Sequence, residues 1–346
     1  MKLTTRRPAV LAAMTLTAVL AVAGCASGDD DGGSGGEDTG GGGGDVSVVM
    51  LPKNLGNAYF DTSTTGAQAA TEEFGGTFSE VGPDTGSPDA QVPFINTAAQ
   101  QGTSALIVSA NDPQALCDAL DEAREAGTKV VTFDSDTDPE CRDLFVNQAT
   151  AEGIAKVQVD MIAEQIGDAG EIAILSASAN ATNQNAWIEL METELENHPD
   201  ITLVDTVYGN DDDQTSFDKT AALLQSHPDL KGIISPTTVG IAAAARYLST
   251  SDAKGKVALT GLGTPNQMRE YVEDGTVTEF ALWNPEDLGY LSAYAAEALV
   301  AGTITGEEGD TFEAGELGEY TVGEDATVLL GDPYRFNADN IGDFDF

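Results

Sequence analysis

Basic residues are scarce in this chain of 346 residues, since 15 Lys and Arg stand against 58 Asp and Glu and give a formal net charge of -43 at pH 7. Binding to nucleic acid depends on positive side chains that neutralise phosphates. The composition therefore predicts no nucleic-acid partner. A surplus of acid is typical of a solvated surface, and it says little about a small ligand.

Histidine is rarer still. The two histidines, His198 and His227, each precede Pro-Asp between a helix-like and a strand-like run, and both are predicted to be turn residues. The chain also lacks the G-x-S-x-G nucleophile turn and the P-loop, and Gly261-Leu262-Gly263 lacks the third glycine of the dinucleotide-binding pattern. These absences predict a protein that is not an enzyme and needs no cofactor.

The stretch Asp134-Ser135-Asp136-Thr137-Asp138 is a candidate for acid–base or calcium chemistry. Alternate residues of a strand point to opposite faces, so Asp134 and Asp136 are not expected to work as an acid–base pair. In the numbering of a calcium loop, position six is Pro139 instead of Gly, and position twelve is Phe145 instead of Glu. No metal site is predicted.

Only three cysteines occur. Cys25 ends Val22-Ala23-Gly24-Cys25 after a basic start and an apolar run, which fits a bacterial lipobox. The pattern predicts that residues 1–25 are a lipoprotein signal peptide and that lipidated Cys25 anchors the protein on the extracytoplasmic face of the cell membrane. Residues 26–45 are almost entirely Gly, Ser and acid, with Ala26 as the one apolar residue, and they predict a flexible linker.

The other two cysteines, Cys117 and Cys141, each lie just beyond a predicted strand. Neighbouring parallel strands end at the same sheet edge, and disulfides persist in exported proteins. A Cys117–Cys141 disulfide is therefore predicted, closing a loop of about 25 residues.

From Val46 onward, strand-like and helix-like runs alternate, which predicts an α/β protein with parallel sheets covered by helices on both faces. There are more strands than one doubly wound sheet accommodates, and a division near residues 145–150 gives two such units. The clearest helix-length segments are 112–126, 151–166, 187–197 and 216–226.

Polar or aromatic residues follow nearly every predicted strand. Ligands of open parallel sheets bind beyond the carboxyl ends of the strands, so these groups are expected to converge. Thr182-Asn183-Gln184-Asn185-Ala186-Trp187, between a strand-like and a helix-like run, is the densest example. Neutral amides and hydroxyls pair well with sugar hydroxyls, and aromatic rings pack on sugar C–H faces. The pattern predicts a small, uncharged, hydroxyl-rich ligand. In an alternative interpretation, Thr182 and Asn183 only cap a helix.

The ordered set of segments in 46–290, among them VSVVMLPKNLGNAYFD, KVVTFDSDTDPECR, TNQNAWIELM and EFALWNPEDLGY, resembles the type I solute-binding proteins of sugar ABC transporters. The resemblance is greatest to the rhamnose-binding and autoinducer-2-binding branch. It implies two doubly wound parallel-sheet lobes joined by a three-segment hinge that close on ligand (the type I periplasmic binding protein fold).

The lobe boundaries follow from the same resemblance. The first lobe is expected to comprise 46–147 and about 285–318, and the second 148–283 and about 319–346. Crossings between the lobes are expected near Asn147, near Asn284 and within 315–325.

The resemblance also implies the nature of the ligand. Lys53, Asp134, Gln184 and Pro236 fit the autoinducer-2 pattern, but that pattern has a carboxylate where this chain has Asn183, and Pro-Asp-Ala where it has Pro236-Thr237-Thr238. An amide in place of a carboxylate at a desolvated hydroxyl costs about 1–3 kcal/mol. Rhamnose or a similar deoxy sugar is therefore the favoured ligand, with autoinducer-2 as the alternative.

The residues expected to bind the ligand come from both lobes. Asp134 would accept from two hydroxyls beside Lys53, and Phe60 and Trp283 would stack on the ring. Asp136 is either a ligand contact or a structural partner of Arg142. The full predicted set is Lys53, Asn57, Phe60, Asp134, Asp136, Asn183, Gln184, Pro236, Thr237, Thr238 and Trp283.

The expected partner is the permease of an ABC transporter, to which a monomeric binding protein would deliver its sugar. A sugar sensor that feeds a receptor kinase is an alternative with the same fold.

Overall fold

The computed structural model describes residues 46–346. The predicted signal peptide, the lipidated Cys25 and the linker 26–45 lie outside the described residues. Among the described helices, none combines the length and the apolar character that a membrane span requires.

The first lobe is built on a six-stranded parallel sheet in which short apolar runs are buried. Strands covered on both faces are apolar throughout rather than alternating, and this explains runs such as Ala-Leu-Ile-Val at 105–108. The strands are β1 (Ser47–Leu51), β2 (Thr77–Glu80), β3 (Ala105–Val108), β4 (Lys129–Phe133) and β5 (Leu144–Asn147), with β13 (Thr327–Leu329) beside β5. The helices are α1 (Ala58–Glu73), α2 (Pro88–Gln101), α3 (Cys117–Glu125) and α9 (Pro285–Ala301).

The second lobe has a four-stranded parallel sheet in the order β7-β6-β8-β9. Its strands are β6 (Gly170–Ser176), β7 (Ile201–Tyr208), β8 (Leu230–Ser235) and β9 (Ala258–Gly261). A bridge from Leu262 to Ala281 joins it to the antiparallel pair β10 (Glu279–Leu282) and β14 (Tyr334–Asn337). The helices are α4 (Ala151–Ile166), α5 (Thr182–Glu194), α6 (Asp213–Ser226), α7 (Thr238–Ser249) and α8 (Pro265–Glu273). A small hairpin of β11 (Thr311–Glu313) and β12 (Glu319–Thr321) follows α9.

These observations confirm the predicted α/β class with two parallel-sheet lobes. The chain leaves the first sheet after β5 and returns to it after β10, which are the connections around Asn147 and Asn284. The third crossing was placed wrongly: β13 still pairs with β5, and β14 pairs with β10, so the chain crosses between Leu329 and Tyr334. Residues 327–329 therefore belong to the first sheet, because that sheet's edge strand β5 was open to one more partner.

Three predicted helix starts also need correction. Helix α6 begins at Asp213 and not at residue 216, because the Asp212 side chain accepts from the Thr215 N–H and caps the helix there. Helix α3 begins at Cys117 and not at residue 112, because the Asp112 carboxylate accepts from the backbone N–H groups of Gln114 and Ala115 and holds a turn there. Helix α5 begins at Thr182 and not at residue 187, and its N-cap position is Ala181. Neither Thr182 nor Asn183 occupies the cap position of this helix, so the capping interpretation of that segment is wrong.

The predicted disulfide is present, joining Cys117 at the start of α3 to Cys141 in the turn that follows β4. It links the two connections that leave neighbouring strands β3 and β4 at the same sheet edge.

Helices α1 and α9 approach each other closely through two glycines. A Cβ atom at Gly66 would lie 1.9 Å from the Glu286 carbonyl oxygen, and one at Gly289 would lie 1.8 Å from the Ser63 carbonyl oxygen. Since the N-terminal ends of α1 and α9 follow Asn57 and Asn284, this crossing also fixes how near the first turn of α1 comes to Trp283.

We expect Gly289→Ala to lower the free energy of unfolding by about 1–3 kcal/mol, because the helices must separate to admit the methyl group. Urea denaturation of the purified protein measures the change. Gly331→Ala is the matched control, since a Cβ there meets no atom within 4 Å. Equal stability of Gly289→Ala and Gly331→Ala would show that the crossing tolerates the extra volume.

Candidate functional site

A single cavity between the two lobes collects the ends of strands from both sheets. Ten of the eleven predicted ligand-binding residues line it, and Asp136 is the exception. The cavity has a volume of about 380 Å³, which includes some open solvent. A space this small suits one small molecule. The lining residues are Lys53, Asn57, Tyr59, Phe60, Asp134, Asn183, Gln184, Trp187, Asp211, Pro236, Thr237, Thr238, Leu262, Leu282 and Trp283.

Asp134 lies directly after β4 and is the buried acid of the first lobe. Its Oδ2 accepts from the Ser109 hydroxyl at 2.8 Å, and its Oδ1 accepts from the Tyr59 hydroxyl at 3.2 Å. Its φ of 60° lies in the left-handed region, which Asp and Asn adopt more readily than most residues. A carboxylate has about four acceptor positions, so Asp134 retains capacity for ligand hydroxyls.

The Tyr59 hydroxyl links the Trp283 indole to the Asp134 carboxylate through two hydrogen bonds. Its hydroxyl accepts from Trp283 Nε1 at 2.8 Å while it donates to Asp134. Burial, and then the nearby Asp134 carboxylate, raises the pKa of Tyr59 well above its usual value of 10.0. Tyr59 therefore stays a neutral hydroxyl, and it holds the Trp283 indole at one wall of the cavity.

Lys53 follows β1 and reaches across the cleft. Its buried ammonium donates to Asn183 Oδ1 at 3.0 Å and lies 3.8 Å from Asp134 Oδ2. Asn183 in turn donates to the Asp134 backbone carbonyl at 3.4 Å. These bonds connect the first lobe to the first turn of α5 in the second, so the two lobes meet through polar groups that also line the cavity.

The first turn of α5 presents two amides because the helix begins at Thr182. Gln184 is buried, and its Oε1 has no hydrogen-bond partner among the described residues. A buried acceptor left unpaired costs about 1–3 kcal/mol. Gln184 Oε1 is thus a position at which a ligand hydroxyl would gain a bond and remove that cost.

The β8–α7 connection brings Pro236, Thr237 and Thr238 to the same cavity. Thr237 occupies the N-cap position of α7, yet its side chain does not cap that helix. Its hydroxyl donates instead to the carboxylate of Asp211 in a short hydrogen bond.

Asp211 is the main residue that the sequence analysis missed. It follows β7 at a turn in which the Asp212 backbone N–H donates to the Gly209 carbonyl at 3.1 Å, and Asn210 and Asp211 have φ of 56° and 49°. Two central residues with positive φ are typical of a type I′ turn, which favours Asn and Asp. The Asn-Asp pair after a strand was the available signal. Burial raises the pKa of the Asp211 carboxyl and the Asp134 charge adds to it, while the Thr237 bond and Lys53 oppose the rise.

Four rings form the apolar walls. The rings of Tyr59 and Trp283 are edge-to-face at 6.1 Å between centroids, as are those of Trp187 and Trp283. Phe60 packs edge-to-face on Tyr59 at 5.1 Å. Tyr59 and Trp187 line the cavity but were not in the predicted set. Asn57 lines the cavity and also caps α1, since its Oδ1 accepts from the Tyr59 N–H.

Asp136 does not line the cavity. The Arg142 guanidinium, whose side chain is buried, holds its two carboxylate oxygens at 2.7 and 2.8 Å. Of the two roles expected for Asp136, the structure therefore supports the structural partner of Arg142 and not the ligand contact, because both carboxylate oxygens are already paired outside the cavity. Asp136 is also the middle acid of the stretch 134–138 that was considered for calcium, and its carboxylate is already paired with Arg142.

Another acidic group lies on the second lobe away from the cavity. Asp160, Glu194 and His198 bring possible metal-ligating atoms within 4.8 Å of one another. The Lys156 ammonium already lies 2.9 Å from Asp160 and 3.4 Å from Glu194, and Asp168 lies 2.5 Å from His198 Nδ1. Charge balance by Lys156 accounts for this surface cluster.

The cavity contains hydrogen-bond donors and acceptors from both lobes, two carboxylates, one ammonium and flat rings. The described histidines lie outside it, and the lining residues contain no cysteine. Such an arrangement binds and orients a small polar molecule that also has an apolar face.

Comparison with known proteins gives a family match over most of the chain. The family described as periplasmic binding protein domain matches residues 48–304.

Solved structures resemble the chain over nearly their whole length. A sugar ABC transporter structure from Actinomyces odontolyticus is 56% identical, with 87% of this chain and 97% of that one covered and a TM-score of 0.72. An ABC transporter solute binding protein from Clostridium phytofermentas with bound L-rhamnose is 37% identical, with 87% and 98% covered and a TM-score of 0.84. LsrB from Clostridium saccharobutylicum in complex with AI-2 is 29% identical, with 87% and 100% covered and a TM-score of 0.82.

Proposed function

The chain belongs to the periplasmic binding protein domain family, and from that membership we propose that it binds a neutral monosaccharide for an ABC transporter. The carrying observation is the interlobe cavity, in which Asp134 and Lys53 of the first lobe meet Asn183 and Gln184 of the second. Hydroxyls both donate and accept, so a sugar satisfies this mixture better than an apolar or purely anionic molecule does.

We further propose that the sugar is L-rhamnose or a related deoxy sugar. The L-rhamnose-bound relative is more similar in sequence than the AI-2-bound one, at 37% against 29% identity. The rings of Trp187 and Trp283, together with Leu262 and Leu282, give the cavity an apolar wall against which a methyl group would lose water favourably. Autoinducer-2 is the second candidate, because Lys53, Asp134 and Gln184 also fit the residue pattern of the autoinducer-2-binding proteins.

Lipid anchoring through Cys25 and delivery to a permease complete the proposal. Such a protein would be tethered outside the membrane and would present its closed lobes to the permease. A shift of the membrane-bound protein into the soluble fraction when Cys25 is replaced by Ser would support the anchor. An unchanged distribution would contradict it.

Calorimetry with L-rhamnose, autoinducer-2, D-ribose and D-xylose tests the ligand. We expect L-rhamnose to bind with Kd below about 0.1 mM, which corresponds to more than about 5 kcal/mol. The others are expected to bind at least tenfold more weakly, because each changes the hydroxyls or removes the methyl group. Submillimolar binding of autoinducer-2 alone would favour the second candidate, and binding of none would refute the sugar assignment.

A further inference from the structure

We propose that Asp211 is a ligand-binding acceptor supplied by the second lobe and that it makes the cavity selective for uncharged sugars over acidic ones. The inference rests on the proposed function and adds a residue and a selectivity to it. Asp211 lines the cavity at the end of β7, opposite the acid of the first lobe.

The geometry of the turn aims this carboxylate at the ligand space. Gly209 has no room for a side chain, since a Cβ there would lie 2.1 Å from the Ser216 hydroxyl oxygen. The turn from Gly209 to Asp212 therefore packs directly against α6. Asp212, which follows Asp211, caps α6, since its carboxylate accepts from the Thr215 N–H at 2.7 Å. Asp211 is left to face inward.

The Asp211 carboxylate is held in place by one hydrogen bond and can still accept others. Thr237 donates to Oδ1, and no other side-chain hydrogen bond to Asp211 occurs among residues 46–346. The opposite oxygen, Oδ2, is thus an acceptor fixed in orientation by Thr237. An acceptor held in place before binding loses little freedom when a ligand hydroxyl donates to it.

Asp211 also sets the charge of the cavity. The titratable groups among the lining residues are Lys53, Tyr59, Asp134 and Asp211. Lys53 balances one carboxylate, and Tyr59 stays neutral. With both acids ionised, the site carries one excess negative charge. A uronic acid or sugar phosphate would add a like charge in a desolvated space, which is unfavourable.

The test compares wild-type protein, Asp211→Asn and Asp213→Asn by calorimetry with L-rhamnose and with D-galacturonate. Asp213 is the matched control, because it lies two residues away, carries the same charge and pairs with Arg246 at the surface. We expect wild-type protein to prefer L-rhamnose strongly. Asp211→Asn should bind L-rhamnose at least about tenfold more weakly than wild type does. Its preference for L-rhamnose over D-galacturonate should also be at least about tenfold smaller. Asp213→Asn should match wild type.

The outcomes separate the two proposals. Wild-type protein that binds no sugar of the panel overturns the proposed function and this inference together. Wild-type protein that binds L-rhamnose while Asp211→Asn binds it equally well overturns only the inference, and the carboxylate would then serve the Thr237 turn alone.

The pH dependence of wild-type binding tests the inference without any variant. Because the pKa of Asp211 is raised, its ionised acceptor form is lost as the pH falls, and at a higher pH than for an ordinary Asp near 3.9. Lys53 and Asp134 face it from the first lobe, while the Asn183 and Gln184 amides and Thr237 do not titrate. We expect affinity for L-rhamnose to fall between pH 7 and about pH 4. A flat profile over that range, in a protein that remains folded, would overturn the inference.

Discussion

Replacing Asp134 by Asn is expected to weaken sugar binding by at least about 100-fold, because a buried charged acceptor is worth about 1.5–3 kcal/mol per hydrogen bond and this carboxylate is proposed to accept two. The amide has one acceptor oxygen and presents N–H donors where the ligand, Ser109 or Tyr59 also donates. Asn adopts the left-handed backbone of position 134 (φ 60°) with little strain, so the variant isolates the chemistry from the backbone. Ala would add strain at the same position.

The loss should be specific to the cavity. Asp138→Asn is the matched control, since it removes the same charge from the same loop and the Asp138 side chain makes no cap hydrogen bond. We expect the control to bind as wild type does. Calorimetry gives the affinities, and urea denaturation shows whether Asp134→Asn is folded. Lys53 keeps Asn183 as a hydrogen-bond partner in the variant, which limits the loss of stability. An Asp134→Asn protein with wild-type affinity would place the ligand elsewhere.

Much of this site was readable in the sequence because parallel sheets obey a positional rule. Lys53 and Asp134 follow strands of the first sheet and Pro236 follows a strand of the second, and in each parallel sheet such residues lie at the edge where ligands bind. Their polar character after a buried run was enough to predict that they converge. The prediction needed no knowledge of how any side chain is oriented.

Side-chain direction and local turns were not readable in the same way. Asp136 looks like Asp134 in the sequence, which left open whether it binds the ligand or pairs with Arg142, and only the fold shows that the two pair. Asp211 lies among consecutive acids after β7, where a surface turn is the ordinary expectation. Its inward direction depends on the packing of Gly209 against Ser216, a contact between a strand end and a helix.

The third crossing was misplaced for a related reason. Strand β13 is three residues long, so it has almost no periodicity of its own. It forms because β5 offers an unpaired edge, and that edge is a property of the assembled sheet. Long-range pairing of this kind overrides local sequence preference.

Removing the Cys117–Cys141 disulfide is expected to lower the free energy of unfolding by about 3 kcal/mol, because the bond closes a loop of sequence separation 24 and restricts the unfolded chain. The double variant Cys117→Ala, Cys141→Ala avoids burying new hydroxyls, which matters because Cys141 is buried. Urea denaturation in the presence and absence of a reductant measures the effect. Reductant should destabilise wild-type protein to the level of the variant and leave the variant unchanged. A variant as stable as oxidised wild type would contradict the prediction.

In the variant without the disulfide, sugar affinity should change much less than the free energy of unfolding. The comparison separates stabilisation by the disulfide from the positioning of Asp134. The disulfide joins the connections after β3 and β4, and Asp134 lies between β4 and Cys141. However, Asp134 is held by Ser109 and Tyr59, both outside the loop that the disulfide closes, and those bonds remain when the disulfide is lost. At urea-free conditions the variant should therefore bind L-rhamnose within about threefold of wild type, a change of under about 1 kcal/mol. A loss as large as that of Asp134→Asn would mean that the disulfide itself, and not the hydrogen bonds, positions the acid.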